Sequence, residues 1–135
     1  MSCDAVAVAG AEVAAEHLRT YLTPDTITAP ITAYLQAKWP QAYVQAQRYA
    51  DEVSWIVATQ GQTQRIAVRA GQVTVTDYTQ DPAAAQALAA EIQQALTAIA
   101  GAYWQQATYQ FLAANYAIAE SRPTADGSLV VRLRV

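Results

Sequence analysis

Four arginines are the residues of this chain whose type and spacing best suit ligand binding. Arg65 and Arg69 lie in one run of alternating residues, and Arg132 and Arg134 lie in another near the C-terminal end. Alternation with a period of two is typical of β-strands, so each pair would share one face of a sheet. If the C-terminal strands pair beside the first run, the four guanidinium groups converge and could grip a carboxylate or a phosphate. The alternative, which we favour, is that they form the solvated side of a half-buried sheet.

Metal ligands and nucleophiles are few and poorly spaced. His17 is the only histidine, and a second metal ligand on its helical face would have to be Thr20 or Tyr21, neither of which is a usual ligand. Cys3 is the only cysteine, which leaves no disulfide within the chain and no cysteine-based zinc spacing. No Gly-Xaa-Ser-Xaa-Gly motif accompanies them. We therefore expect no catalytic residue, no bound metal and a histidine that faces solvent or a partner.

Carboxylates and glycines add little to a catalytic interpretation. Asp51, Glu52, Asp77 and Glu120 fit solvated strand ends and a hairpin, although carboxylates distant in sequence can still meet in space. The glycines are isolated from one another, so neither a phosphate-binding loop nor a dinucleotide fingerprint is present. We expect no cofactor, and a protein that is not an enzyme is favoured over one that is.

Composition limits the classes of protein to consider. With 135 residues, 53% of them hydrophobic, the chain predicts one compact domain over residues 1–135. A net charge of -3 and a pI near 4.9 argue against a nucleic-acid partner, since such binding depends on basic residues. No apolar window suits membrane insertion and no signal peptide is recognisable, so we expect a soluble, cytoplasmic protein.

Periodicity predicts two helices, a meander and a further helix. The first helix is expected over residues 10–22 and the second from Thr28, with residues 43–50 adding a further turn or two beyond Pro40. The period then changes to two in three short runs separated by glycine turns, which predicts an antiparallel meander. The third helix is long, because Asp81 is a good N-cap, Pro82 suits a first turn and an Ala/Gln-rich segment follows.

The C-terminal residues 116–135 predict a strand, a turn through Asp126-Gly127 and a second strand. The order of elements then defines an α+β fold. We expect a mostly antiparallel sheet, made of the three-strand meander plus the C-terminal hairpin, packed on one face by the long helix and the N-terminal helices. The other face of that sheet would be open.

The long helix carries both a core prediction and an interface prediction. We expect its apolar stripe to pack on the sheet through Leu96, Ile99, Tyr103 and Phe111, together with Leu129, Val131 and Leu133 of the hairpin. Between Pro82 and Ala114 the only charged residue is Glu91, so a second side of the helix also requires cover. The N-terminal helices could supply it, or a partner chain could do so. The partner alternative predicts an interface that includes Ala95, Ala102, Trp104 and Leu112.

The C-terminal residues resemble those of a known group of proteins. Tyr109, the run Tyr116-Ala117-Ile118-Ala119-Glu120 and the segment from Asp126-Gly127-Ser128 to Arg134 are similar to the C-terminal signature of a small uncharacterised family of cyanobacteria and algal plastids. The resemblance covers residues 103–135. It implies a cyanobacterial or plastid-stroma setting and an accessory role, and it implies no established activity.

Two functional expectations follow. The leading one is a non-enzymatic accessory or adaptor protein that acts by binding another protein or itself, including as a homodimer. It depends on the nearly uncharged long helix and the thinly charged surface. The alternative is a small-molecule-binding domain, or a modest enzyme, that uses the arginine-bearing sheet face for an anionic ligand.

Overall fold

A computed structural model describes residues 6–125 and 128–134. The N-terminal part of this range contains one strand and two helices, and a run of four strands follows. A long helix and a C-terminal hairpin complete the fold. In chain order the elements are β1 (Ala7–Glu12), α1 (Glu16–Arg19), α2 (Pro24–Lys38), β2 (Tyr43–Arg48), β3 (Glu52–Thr59), β4 (Gln62–Arg69), β5 (Gln72–Asp77), α3 (Pro82–Asn115), β6 (Ile118–Pro123) and β7 (Leu129–Leu133).

Strands β1 to β5 form one antiparallel sheet in the order β1-β5-β4-β3-β2, and β6 and β7 form a separate two-stranded sheet. The α+β fold and the meander β3-β4-β5 are confirmed. The meander is extended at both edges by strands that the sequence assigned to helices, so those two assignments are wrong. Residues 10–22 split into the end of β1 and the single-turn α1, and residues 43–50 contain β2.

Pairing with a neighbouring strand explains both corrections. In β1 half-buried and exposed positions alternate strictly, and Ala9 and Ala11 lie opposite Val75 and Val73 of β5. In β2 the half-buried Val44 alternates with exposed residues and lies opposite Val57. Short runs of alanine and valine fit both the helical period and the strand period. Here these runs form strands because they pair with the edge strands of the meander, β5 and β3.

The hydrophobic core lies on one face of the five-stranded sheet. Trp55 of β3 is fully buried there, and its indole Nε1 donates a hydrogen bond to Thr32 Oγ1 of α2 at 2.9 Å. Helices α2 and α3 cover this face. The buried residues of this core include Ile27, Ile31 and Leu35 of α2, Leu88, Ile92 and Leu96 of α3, and Val53, Val57, Ile66, Val68, Val73 and Val75 of the sheet.

The side chains of Asp81 and Asp77 fix the start of helix α3. Asp81 accepts a hydrogen bond from Ala84 N at 3.0 Å, which confirms it as the N-cap, and Pro82 opens the helix. The preceding strand ends in Asp77, whose fully buried carboxylate accepts hydrogen bonds from Gln62, Gln64 and Thr79. This network fixes the connection between β5 and α3.

A second set of hydrogen bonds connects α3 to α2. Glu91, the charged residue of α3, accepts hydrogen bonds from Lys38 Nζ at 2.9 and 3.0 Å and from the hydroxyl of Tyr34 at 2.9 Å. The hydrogen bond from Lys38 is the main reason that the pKa of Glu91 lies below its usual value. The charged residue of α3 is therefore bound to two side chains of α2.

The length of α3 exceeds that of the sheet it covers. Its 34 residues span about 51 Å at 1.5 Å per residue, whereas the eight residues of β3 span about 26 Å. Every buried residue of α3 lies between Ala85 and Gly101. The remaining C-terminal part of the helix extends past the core. In the parts of the chain that the structure describes, no helix combines the length and apolarity needed to cross a membrane.

Candidate functional site

In the described part of the chain that follows Gly101, no residue is fully buried. We call residues 102–125 and 128–134 the arm; it contains the last 14 residues of α3 and the hairpin β6-β7. Every residue of the arm is at least partly exposed, while the fully buried residues of the described chain all lie before it. An isolated two-stranded hairpin is marginally stable in water, so this hairpin depends on its packing against α3, and further cover would add to the stability of the arm.

Large apolar side chains are exposed along the arm. Phe111 is the most exposed of them, with 64% of its surface accessible, and Tyr103 is 43% exposed. Both lie on a line of α3 residues that we call the outer stripe. Its members recur at helical spacing and are Tyr103, Ala107, Phe111 and Ala114. The other exposed apolar or aromatic residues of the arm are Tyr109, Tyr116, Val130 and Leu133.

Another side of the arm helix faces the rest of the chain. Trp104, Thr108 and Leu112 are half-buried and recur every four residues. Gln105 donates from Nε2 to the carbonyl oxygen of Ser128 at 3.0 Å and so holds the hairpin against the helix. The hairpin thus occupies one side of the helix and leaves the outer stripe exposed.

Two aromatic contacts anchor the base of the arm to α1 and the turn after it. The His17 ring meets Trp104 edge-on, with centroids 5.1 Å apart and an interplanar angle of 63°. Tyr21 stacks on Tyr103 at 6.3 Å with an interplanar angle of 7°. His17 is exposed, as expected, but its ring contacts its own chain. These contacts fix the direction in which the arm leaves the body.

A cleft of about 530 Å³ lies between α3 and the tip of the hairpin. Its polar lining includes Gln93, Gln94, Thr97 and Gln105, and Pro123 borders it from the hairpin. None of the described residues that line it is charged. The described lining therefore provides neutral hydrogen-bonding groups and none of the acids, bases or cations that most catalytic sites use.

The four arginines do not converge, so the condition for the predicted anion site is not met. Strand β4 has β3 and β5 as its neighbours, and the hairpin belongs to a different sheet. Arg69 forms an ion pair with Asp51 at 2.9 Å, and Arg132 forms one with Glu120 at 3.3 Å. The hairpin packs beside the overhanging part of α3 because α2 and the body of α3 already cover the sheet. Both edges of β4 are already paired, one with β3 and the other with β5.

Arg65 and Arg134 remain apart from these pairs. Arg65 is half-buried at the middle of the central strand, on the open face, opposite Ile56 and Thr76. Arg134 lies exposed at the end of the hairpin. Neither forms an ion pair with any residue in the described ranges.

The residues predicted for a protein interface have differing surroundings. Ala102 is exposed and lies at the start of the arm. Ala95 and Trp104 are partly buried by packing on the core of their own chain, and Leu112 is half-buried. Most of the residues predicted for the interface are therefore partly buried. The exposed apolar surface consists instead of the outer stripe and the aromatic residues Tyr109 and Tyr116.

The core prediction for α3 is correct in the body and wrong in the arm. Leu96 is fully buried, and Ile99 is partly buried against the core. Phe111 and Tyr103 are exposed because the helix has passed the end of the sheet at that point. In the hairpin, Leu129 and Val131 are half-buried and Leu133 is exposed. The predicted turn residues Asp126 and Gly127 and the thiol of Cys3 lie outside the described residues.

Titratable groups that are buried in this structure have structural partners. Burial alone would raise the pKa of Asp77, but the hydrogen bonds from Thr79, Gln62 and Gln64 outweigh it and hold that pKa below its usual value. Within the described ranges, His, Asp and Glu side chains form no cluster suited to a metal ion. The arm is therefore the part of the described chain with the strongest claim to a binding role.

Comparison with protein-family models, with curated proteins and with solved structures finds no match to this chain. The resemblance of residues 103–135 to a cyanobacterial and plastid family stays a prediction.

Proposed function

We propose that this protein is a non-enzymatic accessory or adaptor protein that acts by binding protein through its arm. The observation that carries the proposal is the absence of any buried residue in the described part of the arm, which still forms four turns of helix and a hairpin. Secondary structure with little buried surface gains stability when another surface covers it. The partner would complete the hydrophobic contacts that the chain leaves open.

The composition of the arm supports a protein partner. From Ile92 to Ala119 the sequence has no charged residue, so no charge would need to be desolvated at the centre of a contact. The exposed residues include Phe111, Tyr109 and Tyr116, and aromatic side chains are enriched at the centres of protein interfaces. An exposed patch of this kind on a globular protein commonly marks an interaction site.

Affinity capture with matched variants tests the proposal. The wild-type protein and the variants Phe111→Ser and Tyr109→Ser would be tagged and recovered under native conditions, together with a differently tagged second copy as one candidate partner. We expect the bound protein, whether another chain or the second copy, to be lost in both arm variants. The reason is that each substitution removes apolar contact area from the proposed surface.

Substitutions outside the arm provide the control. Tyr43 and Tyr49 are exposed to a similar extent, at 59% and 51%; Tyr43 begins β2, at the edge of the sheet, and Tyr49 directly follows that strand. We expect Tyr43→Ser and Tyr49→Ser to retain the bound protein. Equal recovery from all four variants and the wild type would place binding elsewhere, and recovery of no protein by the wild type would contradict the proposal.

A further inference from the structure

We infer that the outer stripe binds a second copy of this chain, with the two arm helices antiparallel and related by a two-fold axis. This inference rests on the proposed function and adds the identity of the partner and the geometry of the contact. The axis passes near Thr108 and Tyr109, at the middle of the arm helix. In this arrangement Phe111 of one copy faces Ala107 of the other, and Ala114 faces the part of Tyr103 that its stacking partner Tyr21 leaves exposed.

The alternation of large and small residues carries the inference. Along the outer stripe the order is Tyr103, Ala107, Phe111, Ala114, so that a bulky ring and a methyl group alternate at successive helical turns. Two such stripes interlock when they run antiparallel, since each ring then lies over an alanine of the other helix. A two-fold contact requires a surface complementary to itself, and this stripe has that property.

The charge pattern agrees with a two-fold contact. Near a two-fold axis each residue lies close to its own copy, so a charged side chain there would face a like charge. The sequence has no Asp, Glu, Lys or Arg between Ile92 and Ala119. The nearest charged residues are Glu91, which binds Lys38 in the body, and Glu120, which pairs with Arg132 in the hairpin.

The size of the stripe sets the expected strength of association. The arm helix has 14 residues and is about 21 Å long and about 10 Å wide. One side of it therefore presents a projected area of roughly 210 Å² to a partner. A standard interface buries about 800 Å² per partner, so the aromatic residues flanking the stripe and the hairpin must contribute most of the rest. We therefore expect a dimer that dissociates on dilution, with the Phe111 and Ala107 contacts at its centre.

An exchange of the large and small residues tests this geometry. Phe111→Ala leaves a gap opposite Ala107, and Ala107→Phe places two rings against each other. We expect each single variant to raise the dimer dissociation constant by about tenfold or more. The double variant Ala107→Phe with Phe111→Ala restores one ring opposite one methyl group and should recover most of the wild-type affinity.

Sedimentation equilibrium over a wide concentration range gives the dissociation constants, with a Cys3→Ser background to exclude disulfide-linked dimers. Circular dichroism checks that each variant is folded, and Tyr43→Ala is the exposed-aromatic control. If adding any apolar surface were enough, Ala107→Phe would strengthen association instead of weakening it, and the double variant would match the wild type only because a gain and a loss cancel. That result overturns the antiparallel contact.

The remaining outcomes separate this inference from the proposed function. A wild-type protein that is monomeric at all concentrations overturns the second copy as occupant. If affinity capture still recovers another protein in an arm-dependent manner, the proposed function survives without the dimer. A dimer that is unaffected by all arm substitutions overturns the inference, because another surface then holds it.

Discussion

Leu96 and Phe111 lie along the same helix four turns apart, yet Leu96 is fully buried and Phe111 is 64% exposed. Both residues belong to one apolar pattern in the sequence, with intervals of three or four residues. The difference arises because the sheet ends while the helix continues. This pair defines the boundary between the part of the chain that folds on itself and the part that offers a surface to a partner.

Substitution of these two residues should therefore have unequal effects on the folding of the monomer. We expect Leu96→Ala to lower the free energy of unfolding by about 2–5 kcal/mol, since it opens a cavity in the core. Phe111→Ala should lower it by less than about 0.5 kcal/mol. Urea unfolding at low protein concentration measures both values. Equal losses would mean that the arm is buried within its own chain.

Asp77 should be the carboxylate most important for stability. Asp77→Asn replaces one of the two accepting oxygens by an NH2 group, which cannot accept, so either Thr79 at one oxygen or Gln62 and Gln64 at the other lose their partner. We expect a loss of about 2–4 kcal/mol in the free energy of unfolding. The matched control is Asp81→Asn, because asparagine also caps helices well and should change stability by less than about 0.5 kcal/mol. Similar effects at both positions would contradict the structural role given to Asp77.

Acid should destabilise the protein through the same carboxylate. The folded-state pKa values of Asp77 and Glu91 lie below their usual values, so both groups bind protons more readily in the unfolded chain. Their contribution is complete well above the unfolded-state pKa of about 4 and is lost as the pH falls through the lower folded values. The more exposed Glu91 contributes less.

Urea unfolding at a series of pH values from neutral downward measures this dependence. The free energy of unfolding should fall below about pH 5 in the wild type, and the fall should be smaller in Asp77→Asn. An increase in stability on acidification over the same range would show that the sign of the pKa shift is wrong.

The contact between Trp55 and Thr32 should fix the position of α2 on the sheet. Thr32→Val leaves the buried indole N–H without its acceptor, and we expect a loss of about 1–3 kcal/mol in the free energy of unfolding. Thr28→Val is the control, since the hydroxyl of Thr28 donates to the carbonyl oxygen of Pro24 within the same helix and to no other described residue. A smaller loss for Thr32→Val than for Thr28→Val would argue against this contact.

The sequence was sufficient for the fold class because the strongest patterns are local. Asp81 and Pro82 mark the start of α3, and alternating residues with glycine turns mark β3, β4 and β5. Strands β1 and β2 were missed because Ala, Val and Gln in short runs fit both helical and strand periods. Their strand conformation follows from long-range pairing with β5 and β3, which one sequence does not display.

The candidate surface was only partly predictable. The shortage of charge on α3 indicated that the helix has more than one apolar side, but Phe111 was assigned to the core and Trp104 to an interface. The length of α3, about 51 Å against about 26 Å for a strand of eight residues, is a signal that could have located the overhang. The separation of Arg65 from Arg132 depends on where the hairpin packs, and that is a tertiary property.

The most direct test of a protein-binding arm is to measure the solvent accessibility of its aromatic side chains in an extract that contains the protein at its natural level. Hydroxyl-radical footprinting in native lysate would compare Phe111 and Tyr109 with Tyr43 and Tyr49, all four of which are exposed in the isolated chain. If a partner covers the arm, oxidation of Phe111 and Tyr109 should be several-fold lower than that of Tyr43 and Tyr49, and the difference should disappear in the purified protein after dilution to a monomer. Equal oxidation of all four residues in the lysate would contradict a covered arm.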